Sequence, residues 1–336
     1  MRNETRALFN AFMGQLATLN HIPDATVKFS VDPTVQQRLE KRIQESSSFL
    51  GMVSIVGVRE LTGQKVGIGV TGPIASRTDT SGAGERSPRD VSDLTSQDYV
   101  AKQTNYDTAI RYQTLDAWAK FPNFQALLRD AIIQQQALDR MTIGFNGTSA
   151  AATTNLVANP LLQDVNIGWL QHIRAEAPER VIDEGAPAAG VVNVGATGHW
   201  KNLDALVYEA VNSLIDPWHR EHPGLRVIVG RGLATDHVLP QIEAETAPTE
   251  REALARLLNQ SRIGGVPSLQ APFMKLGSIL ITVPKNLAIY FQEGGRRRTI
   301  EDNAKKDRIE NYESSNDAYV VEDFGAACLI ENVTFV

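Results

Sequence analysis

The sequence predicts an α+β chain laid out as an N-terminal arm, a projecting hairpin, a bracing helix, a compact mixed α/β unit and closing strands. Three stretches carry that reading. Residues 71–97 are almost free of apolar side chains yet lie between two strand-like regions, residues 123–143 hold the clearest helical stripe, and residues 202–292 alternate helix and strand signals.

Taken in order, residues 4–19 place Leu8, Phe12, Leu16 and Leu19 at helical spacing, widened by Phe9 and Met13. Pro23 ends that helix, because it disfavours helical geometry at the residue before it. An extended piece around Pro33 leads into a second, polar helix whose apolar stripe (Val35, Leu39, Ile43) is narrow, which suits an arm lying on another surface or subunit better than a core element. Residues 53–70 are rich in β-branched residues and glycine, and residues 99–115 set Ile110 and Tyr112 against Arg111 and Gln113. A structureless connection as long as 71–97 is uncommon within a compact domain, so a long hairpin reaching out of the body is expected. Asn123 is the expected cap of the bracing helix, with Leu127, Leu128, Ala131, Ile132, Leu138 and Met141 on its buried face and Gly144 ending it. About 20 residues at about 1.5 Å each make a rod of roughly 30 Å. Asn146-Gly147 supplies a turn, and residues 183–199 read as loop.

Asn202 caps the next helix, which carries Leu203, Leu206, Val207, Ala210, Val211, Leu214 and Ile215 and stops at Asp216-Pro217. A strand at 226–229, a helix entered through the capping pair Thr249 and Glu252, and strands at 278–283 and 287–291 complete the unit. Strand-like segments at 319–321 and 326–330 close the chain. The arm and hairpin bury little within their own chain, so neighbouring subunits are expected to supply much of their stabilisation; the order of parts suits an assembly protein.

The 336 residues, 42% hydrophobic and 21% charged, are enough for a substantial core. A net charge of −6 offers no broad electrostatic grip on nucleic acid. One cysteine, Cys328, excludes an intrachain disulfide and any multi-cysteine metal site. Glu4, Arg6 and Asn10 interrupt the apolar run that a secretory signal needs, and no stretch of about 18 apolar residues is present to span a membrane. The sequons at Asn3, Asn146 and Asn332 are therefore read as chance.

Gly67, Gly69 and Gly72 spell G-x-G-x-x-G, the fingerprint of a dinucleotide turn, but Gly72 runs into Pro73 and a polar loop where that fingerprint requires a helix to receive the pyrophosphate. A glycine-rich strand that lets another backbone approach closely is the better reading. The pair His219 and His222 lacks the helical order of a zinc site, no nucleophile elbow is present, and Cys328 sits in an apolar strand. The sequence therefore names no catalytic residue, cofactor or metal ligand. The basic run Arg296–Arg298 interleaves with Glu301, Asp302, Asp307 and Glu310 and is expected to form ion pairs, while Glu310–Glu313 and Glu322-Asp323 read as exposed strand edges.

The collinear segments RNETR near the start, QESSSFL from Gln44, VGIGVTGPIASRTDT from Val66, GFNG from Gly144, NPLLQDVNIGWLQ from Asn159, EAPERV from Glu176, VIVGR from Val227 and ENYESSNDAYVVEDF from Glu310 span almost the whole chain. Together they closely resemble the major capsid proteins of P2-like tailed bacteriophages (Caudoviricetes), which have the Hong Kong 97-type capsid fold. The resemblance implies that residues 1–30 are an N-terminal helix removed on maturation, with a junction near Phe29-Ser30. It implies an N-arm at 31–52, an extended loop at 53–115, a peripheral domain with its spine helix at 116–201 and 293–336, and an axial domain at 202–292. Gly67, Gly69, Gly72, Arg77, Arg86 and Arg89 would lie on the part of the loop that overlaps a neighbour. The implied function is that of a non-enzymatic shell subunit, forming the hexamers and pentamers of an icosahedral head around double-stranded DNA. Implied partners are further copies of the chain, an internal scaffold and protease, and portal and head-completion proteins, with weak non-specific contact to DNA and no membrane. Assembly would take place in the bacterial host cytoplasm and end in the virion. An encapsulin-like compartment of the same fold is the alternative.

Overall fold

The computed structural model describes residues 1–66, 75–82, 84–87, 96–119, 121, 124–185, 189–233 and 262–336. In chain order its elements are α1 (Asn3–Leu19), β1 (Phe29–Ser30), α2 (Pro33–Glu45), β2 (Ser54–Val58), β3 (Thr62–Val66), β4 (Ser96–Val100), β5 (Lys102–Asn105), β6 (Thr108–Arg111), α3 (Tyr112–Trp118), α4 (Phe124–Asn146), α5 (Trp169–Glu176), β7 (Val181–Ile182) and β8 (Val192–Val194). There follow α6 (Leu203–Leu214), α7 (Pro217–Arg220), β9 (Arg226–Val229), β10 (Arg262–Ile263), β11 (Val266–Gln270), β12 (Ile279–Thr282), β13 (Leu287–Gln292), β14 (Arg297–Asn303), β15 (Arg308–Val321), β16 (Ala327–Ile330) and β17 (Val333–Phe335). The expected cap at Asn123 and the expected helix entered at Thr249 and Glu252 lie outside the described residues.

A six-stranded sheet, ordered β10-β11-β9-β12-β16-β7, is the wall between two apolar cores. Side chains alternate across a strand, so Val227, Val229, Ile279, Ile281, Cys328 and Ile330 meet Leu206, Val207 and Ala210 of α6 on one face. Ile228, Leu280 and Leu329 meet Met141, Trp169 and Ile173 of α4 and α5 on the other. Burial on both faces explains why these strands read as unbroken apolar runs. Asn202 caps α6 as expected, its side chain accepting the Ala205 N–H at 2.8 Å.

A seven-stranded sheet is organised by β15. β13 and β14 run end to end along one edge of it and β5 and β6 along the other; β2 then pairs parallel with β13, and β1 antiparallel with β14. Three sequence-based expectations change here. Strand 287–291 belongs to this sheet and not to the α/β unit, because apolar alternation reports burial and not which sheet supplies it. Only β3 and β4, paired from Thr62↔Val100 to Val66↔Ser96, form the hairpin expected over 53–115; β2, β5 and β6 join the body, and Tyr112 starts a helix. The two closing strand signals part company, 319–321 ending β15 and 326–330 becoming β16 beside β12.

The second helix is likewise not a loose arm. Ile43 and Glu40 of α2 are buried against the body, and Ile43 joins the larger core. The Arg140 guanidinium donates to Glu40 and, at 3.1 Å, to Asp317; Arg296 donates to Glu40 at 2.9 Å, to Glu313 at 2.7 Å and to Gln136 Oε1 at 2.8 Å. Burial raises the pKa of the Glu40 carboxyl, but the two arginines outweigh it and hold the group below its ordinary value. The basic run does form ion pairs, yet Arg296 takes Glu40 and Glu313 as partners, not the acids interleaved after it. Glu310 and Glu313 are buried rather than exposed: β15 is an interior strand, Arg296 and Gln136 cover the Glu313 carboxylate, and Arg308, Tyr312 and Asn303 close over that of Glu310.

The buried face of α4 is set by the same network. It carries Ile133, Gln136, Ala137, Arg140 and Met141, so the expected stripe through Leu127, Ala131 and Ile132 is displaced and Leu127 is exposed. Gly144 does not end this helix. It lies inside it, where an added Cβ would stand 2.3 Å from the Trp169 ring, so glycine there permits the close approach of α5. A third, small cluster consists of Ala25, Phe29 and Val31 with Met13, Leu16, Ile22 and Val35, all from the first 35 residues.

Gly144→Ala is expected to lower unfolding stability by roughly 1–3 kcal/mol, the usual cost of overpacking, in denaturant titrations of the unassembled chain. Arg140→Met should cost about 3–5 kcal/mol in the same measurement, because it leaves buried Asp317 uncompensated. Glu331 accepts from Arg174 at 2.6 Å and Lys275 at 2.8 Å. Burial pushes its carboxyl up, but those hydrogen bonds and charges win and leave it at about 2. Its stabilisation is therefore complete above an unfolded-state pKa of about 4.3 and is lost as pH falls towards 2. Glu331→Gln should flatten that part of the stability profile, followed by melting temperature against pH.

Candidate assembly interface

The hairpin of β3 and β4 is a separate two-stranded sheet that, among the described residues, shares no ladder with the other sheets. Side chains hold its root. Lys65 Nζ donates to the Val321 carbonyl and lies 4.0 Å from the Glu322 carboxylate. Tyr99 meets Tyr290 of β13 edge-on at 5.1 Å, and the Tyr290 hydroxyl donates to Glu322 at 2.8 Å. Gly63 is where β3 admits the Tyr99 ring, since a Cβ there would stand 2.6 Å from the Tyr99 hydroxyl. Of the loop residues singled out in the sequence, Arg77 and Arg86 are exposed and lie outside any helix or strand, while Gly67, Gly69, Gly72 and Arg89 fall outside the described residues.

The expected junction at Phe29-Ser30 is β1. Its register is Phe29↔Arg298 and Ser30↔Arg297, Phe29 is buried, and the Ser30 hydroxyl donates to the Gly294 carbonyl at 2.6 Å. The segment before it is tied to the body mainly by polar groups. Arg6 and the Tyr112 hydroxyl both donate to Asp302, and the Arg2 amide donates to Asp116 at 2.8 Å. The hydrogen bond from Arg6 is the largest influence on its guanidinium and raises its pKa.

Two loops of the body present apolar side chains outward: Leu156 and Val157 between α4 and α5, and Phe273 and Leu276 between β11 and β12. Asn146, at the end of α4, ties the second of these loops to the helix by donating to the Phe273 carbonyl at 2.7 Å. Surfaces of this kind are suited to contact with further protein. Burial pushes the Cys328 thiol up to about 12, which removes the thiolate needed for nucleophilic attack. His219 faces Asp323 at 3.0 Å, and no group of three metal-ligating side chains occurs among the described residues. No helix among them is long and apolar enough to cross a membrane.

The sequence did not reveal the anchors of these parts. Lys65, Tyr290 and Glu322 lie far apart in the chain, and Glu40 stands in a helix whose composition is polar. The apolar stripe of α2 gave the one usable signal, because Glu40 sits among Gln36, Leu39 and Ile43 and not opposite them.

Comparison with known proteins accounts for this architecture. Residues 8–333 match the phage major capsid protein, P2 family. The chain is 48% identical over 340 residues to the capsid protein of Escherichia phage P2, covering 99% of this chain and 95% of that one. It is 45% identical over 342 residues to the major capsid protein of Serratia phage KSP20, covering 100% and 98%. Among solved structures, a chain of the satellite phage P4 procapsid that includes the size determination protein superposes with a TM-score of 0.83 at 46% identity, covering 100% of this chain and 99% of that one. The fold is the Hong Kong 97-type capsid fold, the chain is a virion component that builds a shell from copies of itself, and it belongs to the P2 family of phage major capsid proteins.

Proposed function

We propose that this capsid protein assembles as hexamers and pentamers into an icosahedral head around double-stranded DNA, and that β3, β4 and the loop between them overlap a neighbouring subunit. The observation that carries the proposal is the detached β3–β4 ladder, whose intervening 67–95 segment is too poor in apolar residues to build a core of its own. On this reading Arg77, Arg86 and Arg89 supply polar contacts to the neighbour, and Gly67, Gly69 and Gly72 admit its backbone closely. The α/β unit around α6 takes the axial position at the vertices, and α4 is the spine of the peripheral domain.

Assembly proceeds on an internal scaffold with an associated protease in the host cytoplasm, through a procapsid that later receives portal and head-completion proteins. Residues 1–30 leave at a cut near Phe29-Ser30. A protease needs an extended, accessible chain, so β1 must first come away from β14; a two-residue pairing makes that detachment small. The acidic chain suits a container whose DNA must enter and leave, because its net charge of −6 provides only weak, non-specific contact with phosphate. An enzyme-filled compartment of the same fold has less support, since the whole-chain matches above 40% identity are phage capsid proteins.

Co-expression with the scaffold should give closed particles by electron microscopy. Deleting residues 74–94 should abolish them while the soluble chain keeps its helical circular dichroism; normal shells from the deletion variant would defeat the role given to the hairpin. Closed particles formed without scaffold around a cargo enzyme would favour the compartment instead.

A further inference from the structure

The hairpin's direction has an unusual origin. In a sheet, backbone ladders fix the angle of each strand against its neighbour. The β3–β4 ladder has no such connection to the body. Among the described residues it meets the body through the short links at residues 59–61 and Ala101 and through the side chains at its root.

Those side chains converge on one place, the end of β15. Lys65 comes from β3, with its side chain only 7% exposed, its ammonium on the Val321 carbonyl and near Glu322, and the Phe324 ring centroid 6.0 Å away. Tyr99 comes from β4 and reaches the same carboxylate indirectly, through the ring of Tyr290. A lysine stem spanning an apolar site to place a charge on a carbonyl is costly to desolvate, and burial does lower its pKa against the opposing pull of Glu322, Asp323 and Glu176. An apolar residue of similar length would fill the space without that cost. What a lysine adds is direction, because an ammonium must point at its acceptors, whereas an apolar stem can slide.

We propose that Lys65 and Glu322 form a latch that sets the angle at which the β3–β4 hairpin leaves the body. Lys65 is a positioning residue, and its engagement within its own chain sets it apart from the exposed loop residues Arg77 and Arg86. The latch fixes where the loop points before any neighbour is met; this inference rests on the proposed role of the hairpin but concerns the single subunit.

The test uses the full-length, unassembled chain with nitroxide pairs read by double electron–electron resonance. Gln64→Cys with Lys305→Cys spans hairpin to body, and Lys41→Cys with Lys305→Cys lies within the body; all three native side chains are exposed. Cys328, buried with its thiol at about 12, does not compete for label. With Lys65 present, the hairpin-to-body pair should give one narrow distance distribution. Lys65→Met should broaden or split it, leaving the body pair and the melting temperature as they were. An unchanged hairpin distribution overturns the latch, and so does broadening of both pairs, which would make Lys65 an ordinary support of the core. If Lys65→Met does not fold, Glu322→Gln is read in the same way, since it removes the charge while keeping an acceptor for Tyr290. No particle forms in this experiment, so a failure of the shell assembly in the preceding section is seen separately, by microscopy.

Discussion

The structure depends on charges that had to be buried together. Two arginines, Arg140 and Arg296, face three carboxylates, Glu40, Glu313 and Asp317, with all five side chains almost wholly inside. None of these ions is tolerable there alone, because the desolvation of each is offset only by the others. They come from α2, α4, the turn before β14, and β15. The network therefore forms only when the arm, the long helix and the central strand are all in place, and it ties their registers to one another. The apolar cores supply most of the driving force for collapse but are permissive about detail. Directional, charge-assisted hydrogen bonds are far less so.

What could be read from the sequence divides along the same line. Features governed by neighbours within a few residues were legible, such as the Asn202 cap with the α6 stripe behind it and the root of the hairpin flanking a polar stretch. Features that require a partner from far along the chain were not. Glu40 is 100 residues from Arg140 and 256 from Arg296, so nothing near it in the chain marks it as a buried ion. Gln136 and Arg140 occupy positions on α4 that a rule based on apolar spacing assigns to solvent, and the predicted stripe slid by one residue as a result. Gly144 reads as a helix stop in the sequence because the ring that needs its missing side chain, Trp169, lies beyond an intervening loop. The family was legible in the residues themselves, since a collinear match over the whole chain outweighs any local motif. The G-x-G-x-x-G pattern at the foot of the loop shows how little such a motif says by itself.

Two kinds of attachment coexist in the chain. The body is joined by ladders, with β15 paired along both edges and the six-stranded sheet walled by apolar side chains on both faces. Such joints open only with the loss of many bonds at once. The hairpin and the N-terminal segment are joined instead by a few side chains and one short pairing. A subunit that must present some surfaces stiffly and release or redirect others gains from keeping these two kinds of joint apart.

The small third cluster gives this separation a thermodynamic form. Its apolar members all come from the first 35 residues and none of them belongs to the two main cores, while Leu8, Leu19 and Val27 of the same segment stay exposed. The segment and the body are therefore coupled by polar contacts and one short pairing and not by a shared apolar core. Removing that segment would take Met13, Leu16, Ile22 and Ala25 out of the small cluster and would strip Asp302, Asp116 and the Ile300 amide of their partners, while leaving the two main cores whole. The remaining chain would keep both main cores, much as a tool keeps its edge when the sheath is drawn off.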